Sequence, residues 1–292
     1  MTRPLKPIKR REFIQTASFA AVSLLSLPSF VALGKAGKGK NGLGLQLYTL
    51  RETMPKDPKG VLKEVASFGY KQLETYGYRD GKLFGMTVKE FNDYVKSLGM
   101  KVTSGHYGID IIRSGWEQAI ADAKSIGQKY MVCPYLGENE RTSIDDYKRR
   151  CEEFNKAGEI CNKNGIRFSY HNHAFEFMET DGQIPYDVML AELDPKNVAM
   201  EMDIFWVVNA GKDPLAYFEK YPGRFEQWHV KDMSKEDKNQ NADVGTGSID
   251  FKSIFAKAKQ SGMKQFFVEQ ESYPGEPIKS VAASAEYMKS IL

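Results

Sequence analysis

From Gly42 to the C-terminus the chain alternates between two hydrophobic patterns. Short apolar runs rich in β-branched or aromatic residues are each followed by a longer stretch whose apolar positions recur at helical spacing. The runs predict strands at 43–48, 70–75, 101–106, 129–133, 166–171, 197–203, 225–230 and 265–270. The amphipathic stretches predict helices near 57–68, 87–98, 114–126, 143–164, 183–192, 212–220, 249–261 and 276–290. Glycine stands where a left-handed helix cap is needed in Phe68-Gly-Tyr, Leu98-Gly-Met, Ile126-Gly-Gln, Asn164-Gly-Ile and Ser261-Gly-Met. Eight strand–helix units in sequence predict an α/β fold, a closed (β/α)8 TIM barrel in a single domain over 41–292. An open doubly wound sheet is the alternative, but Leu45-Gln-Leu-Tyr-Thr-Leu-Arg51 offers no glycine-rich phosphate loop after the first strand.

The first forty residues follow neither pattern. Lys9-Arg-Arg-Glu-Phe-Ile14 precedes an apolar run from Ala17 to Leu33 that is interrupted by Pro28 and leads into small residues and lysines. A basic start, a modest apolar run and a small-residue exit predict a signal peptide over 1–40. Arg10-Arg11 followed by Phe13 is similar to a twin-arginine export signal, which implies a periplasmic or otherwise exported protein. The run is too short and serine-rich for a permanent membrane span. Residues 1–40 hold eight of the 41 Lys/Arg and one of the 38 Asp/Glu, so the remainder carries 33 basic and 37 acidic residues, a formal −4. That balance gives no electrostatic footprint for nucleic acid. Cys133, Cys151 and Cys161 form neither a CxxC motif nor an even disulfide set.

Polar chemistry gathers where the strands run out. All four histidines do so: His106, His171 and His173, and His229. Residues at i and i+2 of a strand share a face, so His171/His173, Glu201/Asp203, His229/Lys231 and Glu269/Glu271 each present two ionisable groups on one side. In a barrel these ends converge on one mouth, where such enzymes keep their active sites. Mixed imidazole and carboxylate donors suit one divalent ion such as Mn²⁺, Co²⁺, Zn²⁺ or Fe²⁺. Such an ion can polarise a sugar carbonyl, acidify the neighbouring C–H and favour an enediolate. His106, His173, Lys231 and Glu269 are the candidate proton-moving groups. Glu74 at the end of the second strand, Trp206, Glu176 and Tyr48 are candidate substrate contacts, and Arg51 lies beside Tyr48 at the end of the first.

Several segments together carry a family resemblance. They are Gly44-Leu-Gln-Leu-Tyr-Thr, Tyr170-His-Asn-His-Ala-Phe-Glu-Phe177, Met202-Asp-Ile-Phe-Trp206 with Ala210-Gly-Lys-Asp-Pro214, Trp228-His-Val-Lys-Asp232, Val244-Gly-Thr-Gly-Ser-Ile-Asp-Phe251 and Val268-Glu-Gln-Glu271. Over 42–292 the chain resembles the sugar phosphate isomerase/epimerase family of the xylose isomerase-like TIM barrel superfamily. The resemblance implies one divalent ion held from strands five to eight, most often by Glu, Asp, His and Glu, which match His171, Asp203, His229 and Glu269 here. Imidazole thus replaces the strand-five carboxylate, with His173 or Glu176 as alternative ligands, and a simple two-glutamate epimerisation is put in doubt. The implied function is a sugar isomerase or epimerase that abstracts a proton beside a metal-bound carbonyl of a small carbohydrate. A lyase of 3-keto-glycosides is the close alternative. An endonuclease IV-like enzyme is disfavoured by the histidine count and the charge, and a non-catalytic sugar-binding protein by the intact ligand types. An oligomer is compatible with everything above.

Overall fold

The eight apolar runs form the staves of a closed parallel barrel in the computed structural model, which describes residues 42–292. The strands are β1 (Gly44–Gln46), β2 (Gln72–Thr75), β3 (Lys101–His106), β4 (Tyr130–Cys133), β5 (Arg167–His171), β6 (Val198–Asp203), β7 (Gln227–Val230) and β8 (Gln265–Val268). Neighbours in sequence are neighbours in space, and β1 closes the ring against β8 through Leu45 and Val268. The signal peptide expected over 1–40 lies outside the described residues. Among the described residues no helix is long and apolar enough to cross a membrane.

Helices α1 (Pro58–Ser67), α2 (Val88–Ser97), α3 (Trp116–Ile126), α4 (Ile144–Lys163), α5 (Pro185–Glu192), α6 (Pro214–Lys220), α7 (Phe251–Phe255) and α8 (Pro277–Ile291) surround the strands. Local chemistry fixes their starts: Thr87 with Glu90 and Ser143 with Asp146 form reciprocal capping boxes on α2 and α4. The pleat then divides each strand. Leu45, Leu73, Val102, Met131, Phe168, Met200, Trp228 and Phe266 join helix residues such as Leu62, Phe91, Ala123, Phe154 and Ala285 in one apolar core. The alternate positions face the barrel axis. A barrel interior is ordinarily filled by Val, Ile and Leu, but here Gln46, Glu74, Ser104, Ser169, Glu201 and Gln227 are buried there, and Gln227 donates to Ser104 Oγ at 2.9 Å. The barrel is therefore apolar outside and polar inside, which is the frame on which the site is built.

Three boundaries differ from expectation. β1 stops at Gln46 because the Gln46 side chain accepts from the Tyr48 amide and opens a 3₁₀ turn over Leu47–Leu50, so Tyr48 stands on that turn and not on the strand. The helix expected over 249–261 is divided into α7 and a one-turn helix at Ala258–Ser261. Two short helices, Ile109–Arg113 and Ile204–Asn209, were too brief to show a period in the sequence.

Candidate functional site

Register delivers the polar residues to one mouth. His171 pairs with Glu201, and Asp203 with His229, across neighbouring strands. A register shift between Leu73 and Glu74 against β3 is an irregularity of the kind that re-aims a side chain, here Glu74. The converging groups form two layers. In the outer layer His171, Asp203, His229 and Glu269 each place one donor atom within 4.8 Å of the others. His171 Nε2 lies 3.8 Å from Asp203 Oδ2, and His229 Nδ1 lies 2.9 Å from Glu269 Oε2. The Lys231 ammonium is wedged among the same carboxylates, 2.8 Å from Asp203 Oδ2, 2.7 Å from Glu269 Oε2 and 2.5 Å from Glu271 Oε1.

The inner layer uses the other ring nitrogens. Glu201 Oε2 stands 2.9 Å from His106 Nε2, 3.2 Å from His171 Nδ1 and 3.3 Å from His229 Nε2. Glu74 Oε2 lies 2.6 Å from His229 Nε2 and accepts from the Gln46 amide at 2.8 Å. His171 and His229 thus each turn one nitrogen to the outer layer and the other to a buried carboxylate, the arrangement by which carboxylates orient metal-bound imidazoles. His106, His171, Glu201 and His229 also meet the spacing of a ligand set in their own right.

The charges follow from this crowding. Burial opposes the charge on His106, but Glu74 and Glu201 outweigh it and carry its imidazole up to about 9. Burial, helped by the Lys231 charge, pushes His173 down to about 3, so its ring is neutral. Burial raises Glu201 and Asp203 above the usual carboxylate range, with Glu74 adding to the first and Lys231 resisting the second. Glu269 is also buried, yet Lys231 and His229 hold it well below that range.

Above the layers lies a cavity of about 430 Å³ whose lining includes Tyr48, His106, His171, His173 and Glu269. Trp206 packs beside His173, with ring centroids 5.5 Å apart. Two expected substrate contacts are placed elsewhere. Glu74 is fully buried behind His229, and Glu176 is buried under the following loop, accepting from the Tyr170 hydroxyl at 2.6 Å and the His173 amide at 2.8 Å. With Glu176 so engaged, His171 and not Glu176 reaches the ligand cluster from β5. Sequence reasoning assigned no role to Glu201 or Glu271, although the i/i+2 pairing that selected Asp203 and Glu269 put both on the same face. Tyr76 and Tyr135 on the cavity wall gave no signal, because only the loops bring them there.

The residues fit a divalent ion. Two imidazoles and two carboxylates suit Zn²⁺, Mn²⁺, Co²⁺ or Fe²⁺, and the buried Asp203 Oδ2 makes no directed hydrogen bond despite the ammonium close by. Residues 62–291 match the sequence pattern of the xylose isomerase-like TIM barrel family. An inosose dehydratase of Geobacillus thermodenitrificans is 24% identical over 259 residues, spanning 80% of this chain and 81% of its own. The crystal structure of a sugar phosphate isomerase/epimerase from Parabacteroides distasonis superposes with a TM-score of 0.77 at 29% identity, over 90% of this chain and 98% of that one. The IolI protein, crystallised with a zinc atom, shares the fold at a TM-score of 0.69 and 13% identity, over 86% and 97% of the two chains. The closed barrel and the extent of the sequence match agree: the chain belongs to the xylose isomerase-like TIM barrel family.

Proposed function

We propose that this chain is a divalent-metal-dependent enzyme that acts on a sugar, abstracting a proton from the carbon beside a carbonyl to give an enediolate, as a sugar isomerase or epimerase. The observation that carries the reading is the outer layer, in which His171, Asp203, His229 and Glu269 bring four donor atoms together at the C-terminal mouth of the barrel. Those four residues would hold the ion, which when bound polarises the carbonyl and stabilises the charge that deprotonation creates. The IolI protein, which shares the fold and was crystallised with a zinc atom, is compatible with a divalent ion in this chain.

The remaining work falls to the side chains. Glu269 is ionised and at the cavity wall, so it is the first candidate base. His106, protonated and facing the same cavity, is placed to return a proton from another direction. The neutral His173 on the cavity wall is available to sugar hydroxyls, and Trp206 packs beside its ring. Lys231 holds Asp203 and Glu269 apart in charge and sets the position of both carboxylates.

A second reading, β-elimination, is favoured by the inosose dehydratase relatives, whose name describes loss of water from a keto-cyclitol. It shares the first step, and a protonated His106 would supply the proton that an expelled hydroxyl or alkoxide needs. Metal-loaded protein incubated in D₂O with keto-sugars and 3-keto-glycosides tests both. Solvent deuterium should appear on the carbon next to the carbonyl. An isomerase or epimerase retains every substituent, whereas a lyase releases water, an alcohol or an aglycone. Failure of every keto-sugar to exchange, with cleavage of abasic DNA instead, would replace this reading by the endonuclease one.

A further inference from the structure

We infer that the cavity takes an uncharged sugar carrying a second ring or an apolar aglycone, and that it rejects phosphorylated sugars. This deepens the proposed reading of the same site by assigning its substrate class. It rests on three observations outside the ligand layers.

The first is the state of the loops that most often bind phosphate in such barrels, those after strands seven and eight. A glycine-rich turn with several inward N–H groups is an anion cradle. The Val244-Gly-Thr-Gly-Ser-Ile249 turn has that form, but its donors are already taken. The buried Asp232 carboxylate accepts from the amides of Met233 at 2.8 Å, Gly245 at 2.8 Å, Gly247 at 3.0 Å and Ile249 at 3.1 Å. The chain's own carboxylate therefore stands where a phosphate would be held. After β8 the amides of Glu271 and Ser272 both donate to Asn241 Oδ1, at 2.8 and 3.2 Å, and that of Gln270 donates to Thr49 Oγ1 at 3.2 Å.

The second is charge. Among the described residues the cavity lining contains two carboxylates, Glu269 and Glu271, and no lysine or arginine. Lys231, just below, is engaged by three carboxylates. Arg51 donates to the Glu271 carbonyl at 2.8 Å, and Arg141 lies 3.7 Å over the Phe175 ring with its Nε on the Leu136 carbonyl. A phosphate dianion at the rim would face Glu271 with no lysine or arginine side chain on the cavity wall to pair with it, because the positive charge of His106 lies deeper, against Glu74 and Glu201.

The third is the wall. Tyr48 and Tyr76 meet edge to face at 5.1 Å on one side. Tyr135 meets His173 at 5.2 Å and Phe175 at 5.4 Å on the other. Tyr48 is 38% exposed and Tyr135 44%, among the few large apolar residues left open to solvent. Flat apolar rings at a polar mouth match the apolar face of a pyranose or an aryl group, and they stand at the rim, beyond the ligand layers where the reacting sugar sits. The second ring is therefore the part that leaves or trails.

Calorimetric titration of the metal-loaded full chain tests this with fructose against fructose 6-phosphate, and with the methyl against the 4-nitrophenyl 3-keto-glucoside. The phosphate ester should bind at least tenfold more weakly than the free sugar, and the aryl glycoside at least tenfold more tightly than the methyl one. Tyr135→Ala, and separately Tyr48→Leu on the opposite wall, should each reduce the aryl-to-methyl ratio severalfold. A phosphate ester that binds as tightly as the free sugar, or an aryl preference untouched by both variants, overturns the inference. The expected binding order without any solvent deuterium exchange would instead sink the proton-abstraction reading and leave this assignment standing.

Discussion

Asp203 and Glu201 are two residues apart on one strand face, yet they belong to different layers, and single substitutions should separate them. Asp203→Ala removes an outer-layer donor, so bound metal by elemental analysis and deuterium exchange should be lost together. Full metal occupancy in that variant would move the ion to the inner set of His106, His171, Glu201 and His229. Glu201→Gln leaves the outer donors intact but withdraws the charge that orients His171 and His106. Loss of such backing costs roughly 10- to 100-fold in metal affinity, measured by competition with a chelating dye. Glu176 makes a third case, because burial raises its carboxyl to about 8. A folded-state value above the unfolded one means that its stabilising contribution is complete below about 4.5 and is lost as pH rises through about 8. Thermal unfolding of Glu176→Gln should accordingly show a stability gain over the parent that grows between pH 5 and pH 9. A difference independent of pH would remove the buried neutral carboxyl from the account. None of these distinctions was visible in the sequence, since parity places a side chain on a face but not at a depth.

Elements explain how the mouth keeps its shape. The turn after β7 is held by one carboxylate that satisfies four amides, and it tolerates no side chain beside it. A Cβ at Gly247 would fall 2.3 Å from Asp232 Oδ1 and 2.3 Å from the Met233 carbonyl, so Gly247→Ala must push the turn outward. Overpacking of this kind typically costs about 1–3 kcal/mol, which urea denaturation would show. Unchanged stability would mean that the turn yields freely and that Asp232 does not fix it. The Gly-Thr-Gly segment was legible as part of the family resemblance, but its use was not: only the structure shows its amides gathered on the Asp232 carboxylate, 13 and 15 residues away in the chain.

At the scale of the whole molecule, the proposed ion should be coupled to folding. A ligand that binds only the folded barrel stabilises it by mass action, by about 2.7 kcal/mol at a free concentration 100 times its dissociation constant. Removing metal with a chelator should therefore lower Tm in the parent, and lower it far less in Asp203→Ala, read by differential scanning calorimetry. The twin-arginine proposal belongs to this scale as well. Replacing Arg10-Arg11 by a lysine pair should hold the protein inside the cell on fractionation, whereas unchanged export would point to an ordinary secretory leader.

Periodicity by itself determined the barrel. Strand and helix spacing are local properties, and eight alternating units with polar strand ends admit few other arrangements. It also brought His106, His171, Asp203, His229 and Glu269 to one mouth, because the C-terminal ends of parallel strands must meet there. What the tertiary structure decided was order in depth and the state of the loops. Glu74 lies behind His229, Glu201 lies beneath His171, Glu176 lies under its loop, and Tyr48 and Tyr135 line the cavity from separate loops. Those placements depend on register between strands far apart in sequence and on loop hydrogen bonds such as those to Asp232. Neither is encoded in any window short enough to show a period.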